Sequence, residues 1–406
     1  VSPPDANSIE PDALASLRDW LVGEGLEGAS LSSLLEGFAT RLRATGYPLS
    51  RAALASAAIH PDIRAFSLDW HPATGVIEDV VQHDAPSDGF ERSPLGYMVA
   101  ENLQRRRWRL SDDEACSRFP LLAELRAEGH TEYALQLVRF GGSATIAIPG
   151  VALSASTTQP DGFSRAQLDL LNGLTPLLAL AAYRIGLFAM TVGLLDAYLG
   201  HDAGLRILNG QIRRGHGERL GAAILIADLR GFTAATESSG AELIGRLGEH
   251  LEAIAEPIRA AGGEVLKFLG DGLLAGFSTA GTDAPDKACA AALTAAIEGI
   301  ARNEAVNARH PDTTALPLDI ALHRGEVFYG NVGGGGRLDF TVIGPAVNEA
   351  SRIEALCGVL DRPILMSSVF AACCGHPVVS LGLHRLRGVK QAREIFALAP
   401  QSPPAE

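Results

Sequence analysis

The residues most able to do chemistry are two aspartates. Asp271 stands in GGEVLKFLGDGLLAGF (262–277), between two short apolar runs, with Gly270 and Gly272 on either side. Val265, Lys267 and Leu269 alternate with Leu266 and Phe268, the two-residue period of a strand. The flanking glycines supply the backbone freedom that a two-residue hairpin needs, so the turn holds a carboxylate at a strand end. Asp228 closes a second apolar run, Ala222 to Ala227. Two strand-end carboxylates side by side repel each other unless a cation sits between them. Hard divalent cations prefer carboxylate oxygens together with substrate phosphates. The pattern points to a two-metal phosphoryl-transfer site. The plainer reading, a turn carboxylate that caps its own loop, would have to hold in both places at once.

The elements that must position these residues follow the order β-α-β-β-α-β with an α-β extension. Ala222 to Asp228 is the first strand. A helix over Ala241–Arg259 sets Leu243, Leu247, Leu251, Ile254 and Ile258 on one face and stops at Gly262-Gly263. The hairpin comes next, then an Ala-rich helix from about Ala284 to Ala301. Strands follow at Leu318–His323 and Glu326–Val332. After a loop at 333–336 come a strand at Leu338–Ile343 and a helix at Ala346–Leu356. That order is ferredoxin-like. The glycine run at 333–336 is no P-loop, because no Gly-Lys-Ser/Thr follows it; it reads as a hairpin loop.

Residues 218 to 399 resemble the class III nucleotidyl cyclases. The matching motifs are ADLRGFT (227–233), the 262–277 hairpin, ALHRGEVFYGNVG (321–333), DFTVIGPAVNEASRIE (339–354) and LRGVK (386–390). The resemblance implies an adenylate cyclase that converts ATP to 3′,5′-cyclic AMP and pyrophosphate with Mg²⁺ or Mn²⁺, two per site. It implies Asp228, Asp271 and the carbonyl of Leu229 as metal ligands. Arg230, Gly231, Phe232 and Thr233 lead into a helical turn whose free N–H groups would cradle the β- and γ-phosphates.

Lys267 matches the lysine that bonds the N1 edge of adenine, and Thr341 the second base-selecting position. Taken alone, a lysine in an apolar strand reads as a snorkelling side chain. A donor-only lysine suits the N1 acceptor of adenine and opposes the N1–H donor of guanine. Asn348 and Arg352, four apart and so on one helical face, match the ribose-orienting asparagine and the arginine that stabilises charge at the α-phosphate. Lys390 matches a phosphate-binding lysine, and Arg337 is a further candidate for the terminal phosphates. In the family one protomer supplies the aspartates and the other the base-reading pair, Asn and Arg. A chain with one residue set is therefore expected to form a homodimer with composite sites. The Lys–Thr pair resembles a subclass that is often bicarbonate-responsive. The competing readings are a guanylate cyclase and a catalytically silent, cyclase-like nucleotide-binding or dimerisation module. The Gly-Gly-Asp/Glu-Glu-Phe signature of diguanylate cyclases is absent.

The whole chain, 406 residues with a net charge of −13, reads as α/β (α+β) with several domains and no general nucleic-acid surface. The segments are a disordered start (1–12), a GAF/PAS-like α/β sensor domain (13–163), a signalling helix and transducer (164–217), the cyclase domain (218–399) and a tail (400–406). In the sensor domain the pattern is helical over Ala13–Tyr47 and around Pro120–Glu128. Strands are expected at Ala65–Trp70, Gly75–Gln82, Tyr133–Arg139 and Ser143–Pro149. His60, His71, Trp70, Trp108 and Cys116 could suggest a haem or chromophore, although isolated His and Trp are more often core or surface residues. The sensor's ligand is an unknown small molecule. Ser164 with Gln167 is a capping box, opening a helix whose stripe Leu168, Leu171, Leu174, Leu178, Ala181, Ile185, Phe188 is expected to pack against its copy. Arg184, Pro176 and Asp196 favour that helix over a membrane span at Leu174–Leu199. The 5 cysteines, odd in number and without CxxC spacing, together with a polar first dozen residues, imply a reducing, cytoplasmic setting without disulfides.

Overall fold

The computed structural model describes residues 11–400 except 59, 87, 142–149, 240–241 and 281–283. It divides into two compact units, Val1–Leu194 and Leu195–Glu406.

The first unit opens with α1 (Pro11–Glu27) and α2 (Leu31–Ala44), followed by β1 (Arg51–Ala57), β2 (Ile63–His71) and β3 (Gly75–Gln82). Next come α3 (Asp88–Glu91), α4 (Pro94–Ala100), β4 (Arg105–Arg109), α5 (Asp113–Arg118), α6 (Pro120–Ala127), β5 (Glu132–Arg139) and β6 (Gly150–Thr157). The strands form one antiparallel sheet in the order β3-β2-β1-β6-β5-β4. Helices cover both faces. Leu21, Leu35 and Phe38 from α1 and α2 pack with Leu54 and Leu68 on one side. Met98, Trp108, Phe119 and Leu122 fill the other.

The expected strand at Ser143–Pro149 lies outside the described residues, as do 1–10 of the expected disordered start; Pro11 and Asp12 belong to α1. Strands β1, β4 and β6 were not expected.

The helix α7 (Arg165–Leu199) begins with the anticipated capping box. The Gln167 N–H donates to Ser164 Oγ (3.3 Å) and the Ser164 N–H to Gln167 Oε1 (2.8 Å). Its stripe is not a seam between copies. Leu171, Leu174, Leu178, Ala181 and Ile185 are buried in the core shared with α1, α2 and the sheet, and Phe188 is exposed. The apolar period was read correctly, but the surface it covers belongs to the same chain. Arg184 donates to the carbonyls of Leu26 (2.9 Å) and Gly28 (2.8 Å), satisfying acceptors at and just beyond the α1 C-terminus. By length and composition α7 could cross a membrane, with 28% of its most apolar window buried.

The second unit contains α8 (His201–Leu208), β7 (Gly217–Leu229), α9 (Phe232–Ser239), α10 (Glu242–Ala260), β8 (Glu264–Phe268), β9 (Leu273–Ser278) and α11 (Ala284–Arg309). It continues with β10 (Leu318–Gly334), β11 (Arg337–Ile343), α12 (Pro345–Glu354), α13 (Cys357–Leu360), β12 (Ile364–Ser367), α14 (Ser368–Ala371), β13 (Val378–His384) and β14 (Arg393–Leu398). The sheet order is β13-β14-β12-β10-β7-β9-β8, with β11 also paired to β10. Strands β10-β7-β9-β8, with crossovers through α10 and α11, make the ferredoxin-like core.

The α10 and α11 layer buries Ile254, Ile258, Leu293 and Ala296 against Leu225, Leu273 and Phe277. Each buried Leu or Ile contributes roughly 1.5–3 kcal/mol, so the sheet that carries the strand-end residues is firmly held. On the opposite face Ile224, Ile226, Leu274, Phe340 and Ala350 form a smaller core under α12.

Two expectations are corrected here. The strands expected at 318–323 and 326–332 are one strand, because β7 pairs with β10 without a break from Leu318↔Leu229 to Gly330↔Gly217. Cys289 on α11 and Cys373, just past α14, are joined in a disulfide with Cα atoms 5.9 Å apart. Both helices pack on the same face of the sheet, and the 84-residue separation hides that proximity in the sequence. Cys116, Cys357 and Cys374 are free and buried.

Candidate active site

Strand pairing sets the position of the aspartates. In β7 and β9, Ala227 pairs with Leu273, which brings the next residue, Asp228, level with Gly272 of the turn. A Cβ at Gly272 would lie 2.3 Å from the Ala227 carbonyl oxygen and 2.6 Å from Asp228 Oδ1. Glycine is therefore required there by space. Gly270 is required by conformation, with φ +82°. The Leu269 N–H donates to the Gly272 carbonyl (2.8 Å), so Gly270 and Asp271 are the two central residues of the turn. Positive φ at the first of them only is the type II′ pattern. The turn thereby presses Asp271 toward Asp228.

The proximity shows in the electrostatics. The Asp228 carboxyl is pushed up to about 6, first by burial, then by Asp271 and by Asp319. Glu354, at the end of α12, is pushed up to about 7 by burial and by Asp228, Asp319 and Asp271. Four carboxylates thus share one strand-end region. Asp319 sits directly across from Asp228 in the β7–β10 ladder, and like charges in that relation destabilise a sheet. Arg230 answers Asp319 with a bidentate pair, Nε to Oδ2 at 2.9 Å and Nη2 to Oδ1 at 2.6 Å. Asp228 and Asp271 have no such partner cation among the described ion pairs. No group of three or more His, Cys, Asp or Glu residues with metal-holding geometry occurs among the described residues. The donor set at this point is two carboxylates and nearby backbone carbonyls, all hard oxygen ligands that fit Mg²⁺ or Mn²⁺ with phosphate completing the shell.

Beyond Leu229, Gly231 (φ +82°) turns the chain into α9. Phe232 and Thr233 open that helix, so their N–H groups lack intrahelical acceptors.

Lys267 and Asp339 meet in an ion pair between β8 and β11. The pairing shifts between Val265↔Ala275 and Lys267↔Leu274, so a β-bulge at Leu266 breaks the simple alternation and re-aims Lys267. Lys267, Asp339 and Arg337 line a cavity of about 820 Å³ in this unit. Thr341 is buried, 7% exposed, and is not among the described residues lining that cavity. Arg337 follows a tight Gly335-Gly336 hairpin turn with φ +61° and +83°, the type I′ pattern, so the glycine run is the hairpin loop expected.

On α12, Asn348 is exposed and Arg352 half-buried. A Cβ at Gly388 would lie 3.5 Å from Arg352 Nη2, so the LRGVK segment that carries exposed Lys390 packs beside Arg352. The sequence-derived residues thus form three groups: Asp228 with Asp271, Lys267 with Arg337 on the cavity wall, and Arg352 with the Lys390 segment. Asp319, Glu354, Asp339 and the side-chain pairing of Arg230 were missed. Only Asp319 had a usable signal, as the residue opposite Asp228 once β7 and β10 are paired.

Residues 218–395 match the family model of the adenylate and guanylate cyclase catalytic domain. Over 140 residues, 33% of this chain and 26% of the relative, the sequence is 37% identical to an adenylate cyclase of Anabaena cylindrica. It is 30% identical to adenylate cyclase 1 of Rhizobium meliloti over 180 residues, 42% of this chain and 26% of that protein. Adenylate cyclase 2 of the same organism is 28% identical over 264 residues, 63% of this chain and 69% of the relative. The aligned region spans about a quarter of the length of the first two relatives, 26% in each case. Over residues 218–395 the second unit is thus similar to an adenylate and guanylate cyclase catalytic domain.

Proposed function

We propose that this chain is an adenylate cyclase forming 3′,5′-cyclic AMP and pyrophosphate from ATP at sites shared between two copies. The observation that carries the reading is the convergence of Asp228 and Asp271, with the Asp228 carboxyl raised to about 6. A protein that holds unneutralised carboxylates this close at a strand end is organised to receive a cation there. Divalent ions held by Asp228, Asp271 and the Leu229 carbonyl would supply Lewis acidity toward the ribose 3′-hydroxyl and neutralise phosphate charge.

The chain's own groups then divide the remaining work. The N–H groups of Gly231, Phe232 and Thr233 hold the β- and γ-phosphates. Lys390 and Arg337 add positive charge toward the terminal phosphates. Asn348 fixes the ribose, so that the 3′-oxygen lies in line with the bond from the α-phosphorus to the departing pyrophosphate oxygen. Arg352 stabilises the charge that grows on the α-phosphoryl oxygens as that bond breaks. Lys267 donates to adenine N1, with Thr341 at the second base-selecting position.

The shared site is supported by the exposure of Asn348 on α12. It is also supported by a rim of exposed apolar residues, Phe268, Leu269 and Ile343, which a second copy would cover. An isologous dimer would carry two such sites. The first unit is proposed as a GAF/PAS-like sensor of a small molecule, with bicarbonate a candidate regulator of the cyclase domain.

The test is direct. Purified chain is incubated with Mn²⁺ or Mg²⁺ and either ATP or GTP, and the cyclic product is identified by mass spectrometry. Cyclic AMP as the main product is expected. Cyclic GMP in excess would make the chain a guanylate cyclase, and no cyclic product with either nucleotide would leave a silent nucleotide-binding module.

A further inference from the structure

We propose that Glu349 is a positioning residue, which together with Arg393 sets the rotation of α12 and so aims Asn348 and Arg352 at the substrate. The proposal rests on the cyclase reading above, in which those two residues act on the ribose and the α-phosphate, and it adds a group that touches neither.

The helix α12 meets the sheet through a shallow face. Its buried residues are Ala346, Ala350 and Ile353, three and four apart as one helical stripe requires. Two of the three are alanines, so the ridge is low. Such a ridge lets the helix lie close but gives little grip against rotation. The approach is close indeed: a Cβ at Gly325 of β10 would lie 2.8 Å from Ala346 Cβ. The N-cap, Gly344, has no side chain to hold the first turn. Glu349 stands on the border of this stripe, three residues after Ala346 and four before Ile353. A carboxylate in that place is costly unless it is paired.

Arg393 pairs it. Glu349 Oε1 lies 3.2 Å from Arg393 Nε, and the Glu349 side chain is 18% exposed. Arg393 opens β14, so the contact ties the helix to a strand of the sheet. The Arg393 Nε is closed off from water and makes no aligned hydrogen bond, so the attraction between the two charges carries the contact. His323 of β10 lies beside them. Its imidazole is buried, with Nδ1 2.8 Å from Ser367 Oγ on β12. Burial holds His323 below its usual range; Glu349 works against that, while Arg393 and Arg324 add to it. The imidazole is therefore neutral at pH 7, and among the described ion pairs Arg393 is the cation that meets Glu349. Residues of β10, β12 and β14 thus grip α12 at a point off its axis.

The lever from that point to the site is short. Asn348 precedes Glu349 by one residue, and Arg352 follows it by three. Side-chain tips lie roughly 5–6 Å from a helix axis, so a rotation of about 10° moves them by about 1 Å. A misplacement of about 1 Å can cost on the order of 10²-fold in rate.

The test uses the full-length chain with Mn²⁺. Glu349→Gln and Arg393→Gln should each lower kcat for ATP by about 10-fold or more and leave KM within about threefold, because the displaced groups act mainly in the transition state. The stoichiometry of binding of 3′-deoxy-ATP, which lacks the attacking hydroxyl, should match the parent's and so show that the binding-competent fraction is unchanged. Glu349→Leu with Arg393→Leu removes both charges; it should melt within about 2 °C of the parent while kcat stays low. In an Arg352→Ala background, Glu349→Gln should cost no more than about threefold, since one of the groups it aims is gone. A kcat within about twofold of the parent in both glutamine variants would overturn the proposal. So would an equal fold-loss in the parent and Arg352→Ala backgrounds, a kcat regained by the leucine pair, or a fall in binding stoichiometry large enough to account for the lost turnover. A parent that forms no cyclic product from ATP or GTP would remove the cyclase reading and this proposal together, whereas an active parent with unaffected glutamine variants would remove this proposal alone.

Discussion

Replacing Asp228 by asparagine should stabilise the metal-free protein while it abolishes turnover. The Asp228 carboxyl moves from 3.8 to about 6 in the folded chain. A rise of roughly two pKa units corresponds to about 3 kcal/mol at most. Asp228 is only partly buried, and screening by solvent brings the working figure to about 1.5 kcal/mol.

The sign follows from linkage. A raised carboxyl pKa means that the folded state holds the proton more tightly than the unfolded state. The associated stability is complete at low pH and is lost as pH rises from the ordinary carboxylate range through about 6. Glu354, raised to about 7, extends the loss in the same direction. In EDTA the parent chain should therefore melt at progressively lower temperature as pH rises through this window. Asp228→Asn does not titrate and should lie about 3–6 °C above the parent near pH 8. Manganese should raise the parent's melting temperature near pH 8 much more than near pH 5, where Asp228 is protonated, and should do little for the variant. Turnover in the variant should fall by at least roughly 10²-fold. Differential scanning fluorimetry across pH, with and without Mn²⁺, reads all of this. An Asp228→Asn chain less stable than the parent in EDTA near pH 8, or stabilised equally by Mn²⁺, would refute the argument that these carboxylates are strained for want of a cation.

Three further outcomes are expected. Arg230→Ala should cost about 3 kcal/mol in a urea melt, because it leaves Asp319, 7% exposed in its side chain, unpaired opposite Asp228; a loss below about 0.5 kcal/mol would mean the pair is idle. Reduction of Cys289–Cys373, verified by mass, should lower stability by up to about 4 kcal/mol given the 84-residue separation, and Cys289→Ser should show the same loss without reductant. Finally, Asp271→Ala and Arg352→Ala chains should each be nearly inactive alone, while their verified heterodimer gathers both lesions in one site; co-expression should recover roughly a quarter of parental activity by the isologous-dimer logic, and no recovery would place each site within one protomer.

How much of this was legible depends on how local the determining contacts are. The Asp271 turn was readable because its chemistry lies in adjacent residues: Gly270 supplies the positive φ and Gly272 the missing Cβ. The ferredoxin-like order followed from periodicity in α10, β8 and β9. The first unit was harder. Strand β1 reads Arg-Ala-Ala-Leu-Ala-Ser-Ala, a composition with strong helix propensity. It is a strand because Ala52, Leu54 and Ser56 alternate into the core between β2 and β6, so tertiary packing overrides propensity. Strand β4 reads Arg-Arg-Arg-Trp-Arg and looks like a solvated charge run. It is the edge of its sheet, where exposed charges keep the unpaired backbone from recruiting another strand.

The site shows the same division more sharply. Asp228 and Asp271 announce themselves because each ends an apolar run. Asp319 matters only through its register opposite Asp228, and register is a property of two strands rather than one. Lys267 is the extreme case. Strict alternation along β8 would assign its side chain by parity with Val265 and Leu269, yet the bulge at Leu266 cancels that parity. A one-residue slip reverses the face of every side chain beyond it. The group that Lys267 actually meets, Asp339, is then fixed by the course of β11, which depends on the type I′ turn at Gly335-Gly336 and on pairing with β10. The residues proposed to hold metal thus lie in short segments. Under the proposed function the position of Lys267 depends on a bulge and two strand registers, so a substitution at Leu266, which carries no chemistry of its own, should alter nucleotide preference while leaving Mn²⁺ binding near Asp228 intact.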